Sequence, residues 1–254
     1  TWCGSARLSG KFPGGDKGAA HPQKPRWECR KPVYLPRGRA GTGKSEYCYR
    51  EIAEKIKADN QILIITPEQF SFTAEKKLME AIDANAVFNA EVVTLSRMAY
   101  RVINEIGGRT ETNLSKCGKA MLIYSILNNN KKELKLIGKN DENVDMLDTA
   151  ITEFKKHGIS IEQLKQEIDK QEDIYLKNKL TDLSLVYEGF ENQLSGKYID
   201  ETDLLTILAE NIENTDMFNN QYIYIDEFAG FTKQEYQIIE KLILVANQVT
   251  VTIC

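Results

Sequence analysis

Residues 38–45 read Gly-Arg-Ala-Gly-Thr-Gly-Lys-Ser, a complete G-x-x-x-x-G-K-[ST] phosphate-binding loop. Its three glycines allow a tight turn whose backbone N–H groups converge on a phosphate chain. Lys44 supplies a cation for the β- and γ-phosphates, and the Ser45 hydroxyl is suited to ligate Mg²⁺. Helical spacing begins at Glu46, so we expect the loop at a helix N-terminus, where the dipole favours an anion. The predicted nucleotide-binding residues are Gly38, Arg39, Ala40, Gly41, Thr42, Gly43, Lys44 and Ser45.

Strand and helix signals alternate after the loop. Residues 62–65 (Ile-Leu-Ile-Ile) form a continuous apolar run, which is typical of a strand buried on both faces of a parallel sheet. Helical spacing follows over 45–58 and 73–84, and Ser96 is placed to cap a third helix. The alternation predicts βαβ units around a parallel sheet. The predicted strands are residues 33–35, which Pro36 shortens, 62–65, 92–95, 222–225 and 249–253.

Helical spacing dominates residues 109–219, where strand signals vanish. Together with the phosphate-binding loop, this pattern predicts an α/β P-loop NTPase fold, with a parallel sheet domain in two segments, 34–108 and 220–254, and a large all-helical insertion between them. An apolar stripe at three- to four-residue spacing over 183–190 favours a packed helical core over a cofactor-binding face. The predicted helices of the insertion are residues 114–128, 144–157, 161–168, 174–194 and 201–212.

The strand predicted at 222–225 (Tyr-Ile-Tyr-Ile) runs directly into Asp226 and Glu227. An apolar strand that ends in an aspartate is typical of the second motif of P-loop proteins, in which this carboxylate helps to hold Mg²⁺. Ser45 and Asp226 are therefore the predicted Mg²⁺ ligands, and Glu227 is the predicted catalytic residue that polarises the attacking water. The expected cofactors are ATP and Mg²⁺. An ordinary strand-to-helix turn with acidic residues is the alternative, because Asp-Glu after an apolar run is common.

Composition limits the function classes. The formal net charge of −4 gives no global signal for nucleic acid, so a DNA contact requires a local patch. No apolar run approaches the ~20 residues that span a bilayer, and no membrane partner is expected. The five cysteines have no C-x-x-C spacing, which favours a reducing, cytoplasmic setting over a zinc site or disulfide framework. Residues 1–33, rich in Gly, Pro, Lys and Arg, are expected to be a disordered or non-native leader, with a basic nucleic-acid arm as the alternative.

Six stretches resemble superfamily 1 helicases of the UvrD/Rep type and, more closely, the AddB subunits of bacterial AddAB helicase–nucleases. TPEQF at 66–70 is similar to helicase motif Ia, LSRMAYRV at 95–102 to motif Ib, and IDEF at 225–228 to motif II. The likeness covers about residues 37–254. The resembling stretches are residues 38–45, 62–72, 93–108, 151–164, 198–212 and 222–235.

The resemblance implies the N-terminal, ATP-binding part of a subunit that processes DNA double-strand ends for recombinational repair. It implies that the sheet domain is RecA-like and that the helical insertion is of the 1B type. It also implies single-stranded or duplex-end DNA as substrate and an AddA-like helicase–nuclease as partner. A 4Fe–4S cluster is expected only in a C-terminal region beyond this chain, as is the second RecA-like domain, so we expect no motor or nuclease activity from residues 1–254 alone. The implied DNA-binding residues are Thr66, Gln69, Phe70, Ser96 and Arg97.

Two other functions stay open. Ala229 stands where active UvrD-type helicases carry a nucleotide-sensing glutamine, which favours a degenerate DNA-binding scaffold with structural ATP. An unrelated P-loop kinase or small NTPase is the third hypothesis, although it predicts an arginine-bearing lid after residue 227 and leaves TPEQF and LSRMAYRV unexplained. DNA-stimulated ATP turnover distinguishes the first two hypotheses.

Overall fold

The computed structural model describes residues 33–36, 41, 43–83, 88–137 and 143–252. The strands are β1 (Val33–Tyr34), β2 (Ile62–Ile65), β3 (Ala90–Val93), β4 (Thr112–Asn113), β5 (Tyr198–Ile199), β6 (Tyr222–Ile225) and β7 (Gln248–Val251). The helices are α1 (Lys44–Lys57), α2 (Ser71–Ile82), α3 (Leu95–Glu105), α4 (Lys116–Asn129), α5 (Val144–Lys156), α6 (Ile161–Lys170), α7 (Ile174–Leu194), α8 (Glu201–Asn211) and α9 (Lys233–Val245), with short 3₁₀ turns at Glu68–Phe70 and Ile212–Asn214.

Five strands form a parallel sheet in the order β1-β7-β6-β2-β3. The register places Ile65 opposite Ile225 and opposite Val93, so β2, β3 and β6 end at the same level. Because all five strands are parallel, their carboxyl ends share one edge of the sheet. This arrangement confirms the predicted α/β class with a parallel sheet.

Helices cover both faces of the sheet, which explains why β2 is a continuous apolar run. Ile62 and Ile64 pack with α1 and α2 residues such as Ile52 and Leu78. The alternate side chains, of which Ile65 is one, pack on the opposite face with α3, α8 and α9. Successive strand side chains point to opposite faces, so one strand contributes to two cores. The sheet thereby holds α1 against one face.

A second apolar core lies among helices α4, α5, α6 and α7. The stripe over 183–190 is part of it, with Val186 and Phe190 fully buried, as the helical spacing predicts. Asp182, at 1% exposure, accepts backbone N–H groups of residues 135–137 and so fixes the connection between α4 and α5. Buried carboxylates require such donors, because an unpartnered charge inside a protein is costly.

Buried charges lie where α4, α5, α7 and α8 meet. Lys119 Nζ donates to Asp200 Oδ2 at 3.1 Å and lies 2.8 Å from Asp148 Oδ1. Lys155 Nζ lies 2.6 Å from Asp203 Oδ1 and 3.7 Å from Asp200 Oδ2. Burial opposes ionisation of Asp200, but the two ammonium groups outweigh it and lower the pKa of this carboxyl. We call Lys119, Asp148, Lys155, Asp200 and Asp203 the buried ion cluster.

Several predicted elements need correction. Residues 109–219 are not all helical, because β4 and β5 pair in a two-stranded parallel sheet. The strand predicted at 92–95 is β3, which ends at Val93, and Leu95 begins α3. Thr94 caps α3 in place of Ser96, since the Thr94 hydroxyl accepts a hydrogen bond from Arg97 N at 3.3 Å.

The predicted bounds are confirmed for β2, β6 and α7. Val33 lies in β1 instead of the leader, and the remaining leader residues, 1–32, lie outside the described residues. Across the described part of the chain, no helix combines the length and apolar character that spanning a membrane requires.

Candidate nucleotide-binding site

The end of the phosphate-binding loop leads into the first turn of α1. Gly41 and Gly43 have φ of 80° and 81°, the left-handed region that favours glycine. Gly43 is the N-cap residue of α1, and Tyr47 N donates to Gly43 O at 2.9 Å in the first helical turn. Lys44 and Ser45 are the first two residues of the helix, where N–H groups and the dipole favour an anion. Gly38, Arg39, Ala40 and Thr42 lie outside the described residues.

Asp226 lies at the carboxyl end of β6. Because the sheet is parallel, β1 ends at this same edge. Its side chain is buried, and Thr252 Oγ1, at the end of the neighbouring β7, donates a hydrogen bond to its Oδ1. Its Oδ2 is buried and accepts no hydrogen bond from the part of the chain that the structure describes. A carboxylate oxygen left in this state fits a hard cation, because Mg²⁺ is bound through one or two carboxylates plus phosphate oxygens.

The electrostatics of α1 place its first turns beside this acidic edge. Burial, and then the charges of Asp226 and Glu51, raise the pKa of the Cys48 thiol to about 12. Burial, and then the charges of Asp226 and Glu227, raise the pKa of Tyr49. Cys48 and Tyr49 lie four residues after Lys44 and Ser45, and helical residues four apart share a face. The turn of α1 that follows the predicted phosphate and Mg²⁺ ligands is therefore under the electrostatic influence of the acidic pair.

Glu227 has an unusual backbone conformation and an ion-pair partner. Its φ of 66° lies in the left-handed region, which is uncommon for a non-glycine residue. Its carboxylate Oε1 lies 2.7 Å from Nζ of Lys77 on α2. The side chain is 30% exposed, so it remains open to solvent from one side. Left-handed conformations of non-glycine residues are concentrated at functional sites.

A cleft of about 720 Å³ separates α1 from α2. Ser45 and Tyr49 line it from α1, and Lys77 lines it from α2. The Tyr49 hydroxyl is buried and has no hydrogen-bond partner among the described residues. The cleft is therefore lined by a predicted Mg²⁺ ligand and by the lysine that pairs with Glu227.

The predicted DNA-binding residues follow two neighbouring strands, β2 and β3. Gln69 and Phe70 lie in the 3₁₀ turn after β2, and Ser96 and Arg97 lie in the first turn of α3. Gln69 and Arg97 are exposed, whereas Phe70 and Ser96 are half-buried. Thr66 differs, because it is 0% exposed and its backbone N donates to Val93 O at 3.1 Å. It joins β2 to the β3 edge and is not part of the exposed surface.

Sequence reasoning missed three residues of this site. Thr252 follows the buried strand β7 as Asp226 follows β6, so its position at the carboxyl edge was a usable signal. Tyr49 was indicated only indirectly, as the residue one turn after Ser45. Lys77 carried no signal, because its pairing with Glu227 joins residues 150 positions apart.

These features define an α/β protein whose parallel sheet carries a phosphate-loop sequence and an acidic pair at its carboxyl edge. The family described as "ADDB, N-terminal" matches residues 36–254, and the chain belongs to this family.

Curated relatives include the B-type subunit of the ATP-dependent helicase/deoxyribonuclease of Clostridium tetani (strain Massachusetts / E88), 43% identical over 225 residues, which are 85% of this chain and 20% of the relative. The protein of the same name from Clostridium botulinum (strain Hall) is 42% identical over 222 residues, with 85% and 19% covered. That of Thermoanaerobacter sp. (strain X514) is 39% identical over 221 residues, with the same coverage. The chain thus spans about a fifth of the length of the relatives it matches.

Proposed function

We propose that this chain is the nucleotide-binding N-terminal part of the B-type subunit of an ATP-dependent helicase/deoxyribonuclease that processes DNA double-strand ends for recombinational repair. Membership of the ADDB N-terminal family supports the proposal, as do relatives whose names specify that activity. In this proposal residues 34–108 and 220–254 form a RecA-like P-loop domain, and residues 109–219 are its 1B-like insertion. The insertion remains in contact with the sheet domain through α8, whose buried residues pack in the sheet core.

The buried Asp226 Oδ2 is the observation that carries the nucleotide assignment. Among the described residues it is an acceptor without a donor, at the edge of the sheet where α1 begins. We assign the phosphates to residues 38–45, the Mg²⁺ to Ser45 and Asp226, and the orientation of the attacking water to Glu227. When bound, Mg²⁺-ATP supplies the phosphoryl group and the cation that neutralises its charge. Thr252 fixes the Asp226 carboxylate by its hydrogen bond to Oδ1, which leaves Oδ2 for the cation.

We assign the DNA-contacting surface to Gln69, Phe70, Ser96 and Arg97, and Thr66 to its buried support. Single strands are held by basic side chains and aromatic stacking, and this group offers one cation and one half-buried ring. In the full protein we expect an AddA-like partner and an iron–sulfur cluster in a region outside this chain.

A non-catalytic scaffold with structural ATP is the second candidate. One observation in its favour is that the Glu227 carboxylate is paired with Lys77. In addition, Ala229 stands at the position where active helicases of the UvrD type carry glutamine. Both candidates require nucleotide binding, and they differ in turnover.

Titration calorimetry of the full-length protein with Mg²⁺-ATP tests the assignment. Lys44→Ala removes the predicted phosphate cation, so we expect the heat of binding to disappear. Lys241→Ala on α9 is the matched control, because it removes an equal charge from an exposed pair with Glu213. If Lys44→Ala binds ATP as tightly as the parent, the nucleotide site is not the one assigned here. DNA-stimulated turnover by the parent then separates the catalytic candidate from the scaffold.

A further inference from the structure

We propose that Lys77 is a positioning residue that holds the Glu227 carboxylate and thereby couples the DNA-contacting turn to the nucleotide site. The inference rests on the proposed function, since it gives Glu227 a role at the nucleotide. It concerns a residue outside the phosphate-binding loop, the acidic pair and the DNA-contacting surface.

The ion pair is short and joins two distant parts of the chain. Nζ of Lys77 donates to Glu227 Oε1 at 2.7 Å, with the two side chains 37% and 30% exposed. Lys77 belongs to α2, whereas Glu227 directly follows Asp226 at the end of β6. The pair therefore connects a helix on one face of the sheet to the carboxyl edge that carries the acidic pair.

Glu227 combines this ion pair with a strained backbone conformation. A left-handed conformation is unfavourable for a non-glycine residue, and it persists only where the surroundings hold it. From this backbone conformation, with φ of 66°, the Glu227 carboxylate reaches Lys77 on α2. The ion pair with the Lys77 ammonium group at 2.7 Å stabilises the side chain in this position.

The same helix begins at the DNA-contacting turn. The 3₁₀ turn Glu68–Phe70 runs without a break into α2 at Ser71, and the Ser71 hydroxyl donates to Glu68 O at 3.1 Å across the junction. Lys77 lies six residues further along this continuous helix. A helix transmits a displacement of its first turn along its axis. Single-stranded DNA bound at Gln69 and Phe70 therefore changes the position from which Lys77 holds Glu227.

The cleft between α1 and α2 provides the other half of the link. Lys77 lines it from α2, and Ser45, a predicted Mg²⁺ ligand, lines it from α1. A bound phosphate group changes the charge that Lys77 experiences, and with it the strength of the pair. Because coupling between two binding sites is reciprocal, DNA must then change nucleotide affinity by the factor by which nucleotide changes DNA affinity.

The experiment measures single-strand DNA affinity by fluorescence anisotropy, using full-length protein with and without Mg²⁺ and a non-hydrolysable ATP analogue. The ratio of the two affinities in the parent is expected to differ from one by about 5–150-fold, the usual range of allosteric coupling. Lys77→Met removes the ammonium group and keeps the aliphatic length, so we expect the ratio to collapse to about one. Lys77→Arg retains a cation and should retain the ratio.

Lys76→Met is the matched control. Lys76 is the preceding residue of α2, is 69% exposed and pairs with Glu80 inside the same helix, so its removal should leave the ratio as in the parent. Thermal unfolding of all variants verifies that they fold. A merely structural role of Lys77 would lower both affinities together and leave their ratio intact, so the ratio isolates the positioning role.

An unchanged ratio in Lys77→Met overturns the assignment, as does a parent that binds the analogue but has a ratio of one. Both outcomes leave the proposed nucleotide site in place. A parent that binds no analogue overturns the proposed function and this inference with it.

Discussion

Neutralising Asp200 is the sharpest test of how the helical core is joined to the sheet core. Asp200→Asn keeps the shape of the side chain and removes the carboxylate that faces both Lys119 and Lys155 in the buried ion cluster. A hydrogen bond to a charged group contributes about 1.5–3 kcal/mol, and breaking a buried pair outright costs about 3–5 kcal/mol. Each lysine retains another carboxylate, Asp148 at 2.8 Å and Asp203 at 2.6 Å. We therefore expect a loss of about 2–3 kcal/mol.

Urea unfolding at neutral pH measures this loss, and Glu213→Gln is the control. Glu213 pairs with Lys241 at 2.6 Å but is 43% exposed, and exposed pairs contribute about 0–1 kcal/mol. In thermal scans a change of about 2–3 kcal/mol lowers the midpoint by roughly 4–12 °C for a domain of this size. An Asp200→Asn variant as stable as the control would refute the view that this carboxylate neutralises two buried cations.

The pH dependence gives the same prediction a second test. The folded pKa of Asp200 is lowered, so its charge stabilises the fold fully above the unfolded pKa of about 3.9. The contribution is lost as the pH falls through the folded pKa, because the parent then carries a neutral carboxyl as the variant carries a neutral amide. The stability gap between parent and Asp200→Asn should therefore shrink below about pH 4. A gap that is constant between about pH 7 and pH 3 contradicts the reasoning.

Two further predictions concern the candidate site. In the native protein at mildly alkaline pH, a thiol reagent should label exposed Cys117 and leave Cys48 unlabelled, because burial and the charge of Asp226 raise the pKa of Cys48 to about 12. Mass spectrometry identifies the labelled cysteine, and rapid labelling of Cys48 would contradict this prediction. Replacing Gln69, Phe70 and Arg97 together by alanine in the full-length protein should weaken single-strand binding about ten-fold or more, since stacking on one aromatic ring alone is worth about 1–3 kcal/mol per base. Lys170→Ala on α6 serves as the charge control, and equal affinities of triple variant and parent at low salt would remove these residues from the DNA-contacting surface.

The sequence predicted elements that have a local signal. The apolar runs of β2 and β6 and the 3–4 spacing of α7 depend on burial of adjacent residues, and their bounds are confirmed. The sequence did not predict β4 and β5, because two-residue strands carry no periodicity and exist only through pairing of Thr112 with Tyr198 and of Asn113 with Ile199.

The same distinction applies to side chains. Asp226 was predictable because it follows an apolar strand. That its Oδ2 is buried without a hydrogen-bond donor among the described residues could not be read from the sequence. Lys119 and Lys155 sit on helices where lysine is ordinarily exposed, and only the packing of α4, α5, α7 and α8 reveals that they are buried. Lys77 meets Glu227 across 150 positions of sequence, a contact that spacing rules cannot detect.

The placement of β1 has a consequence for biosynthesis. β1 is a two-residue edge strand, and its partner in the sheet is β7, through Val33 opposite Val249 and Tyr34 opposite Thr250. The ribosome makes β7 last among these strands, and at about 5–20 residues per second it follows β1 by on the order of ten to forty seconds. The strand that leads into the phosphate-binding loop is therefore anchored only after the helical core has been translated. A nascent chain that stops before β7 should therefore carry β1 without its partner strand in the sheet.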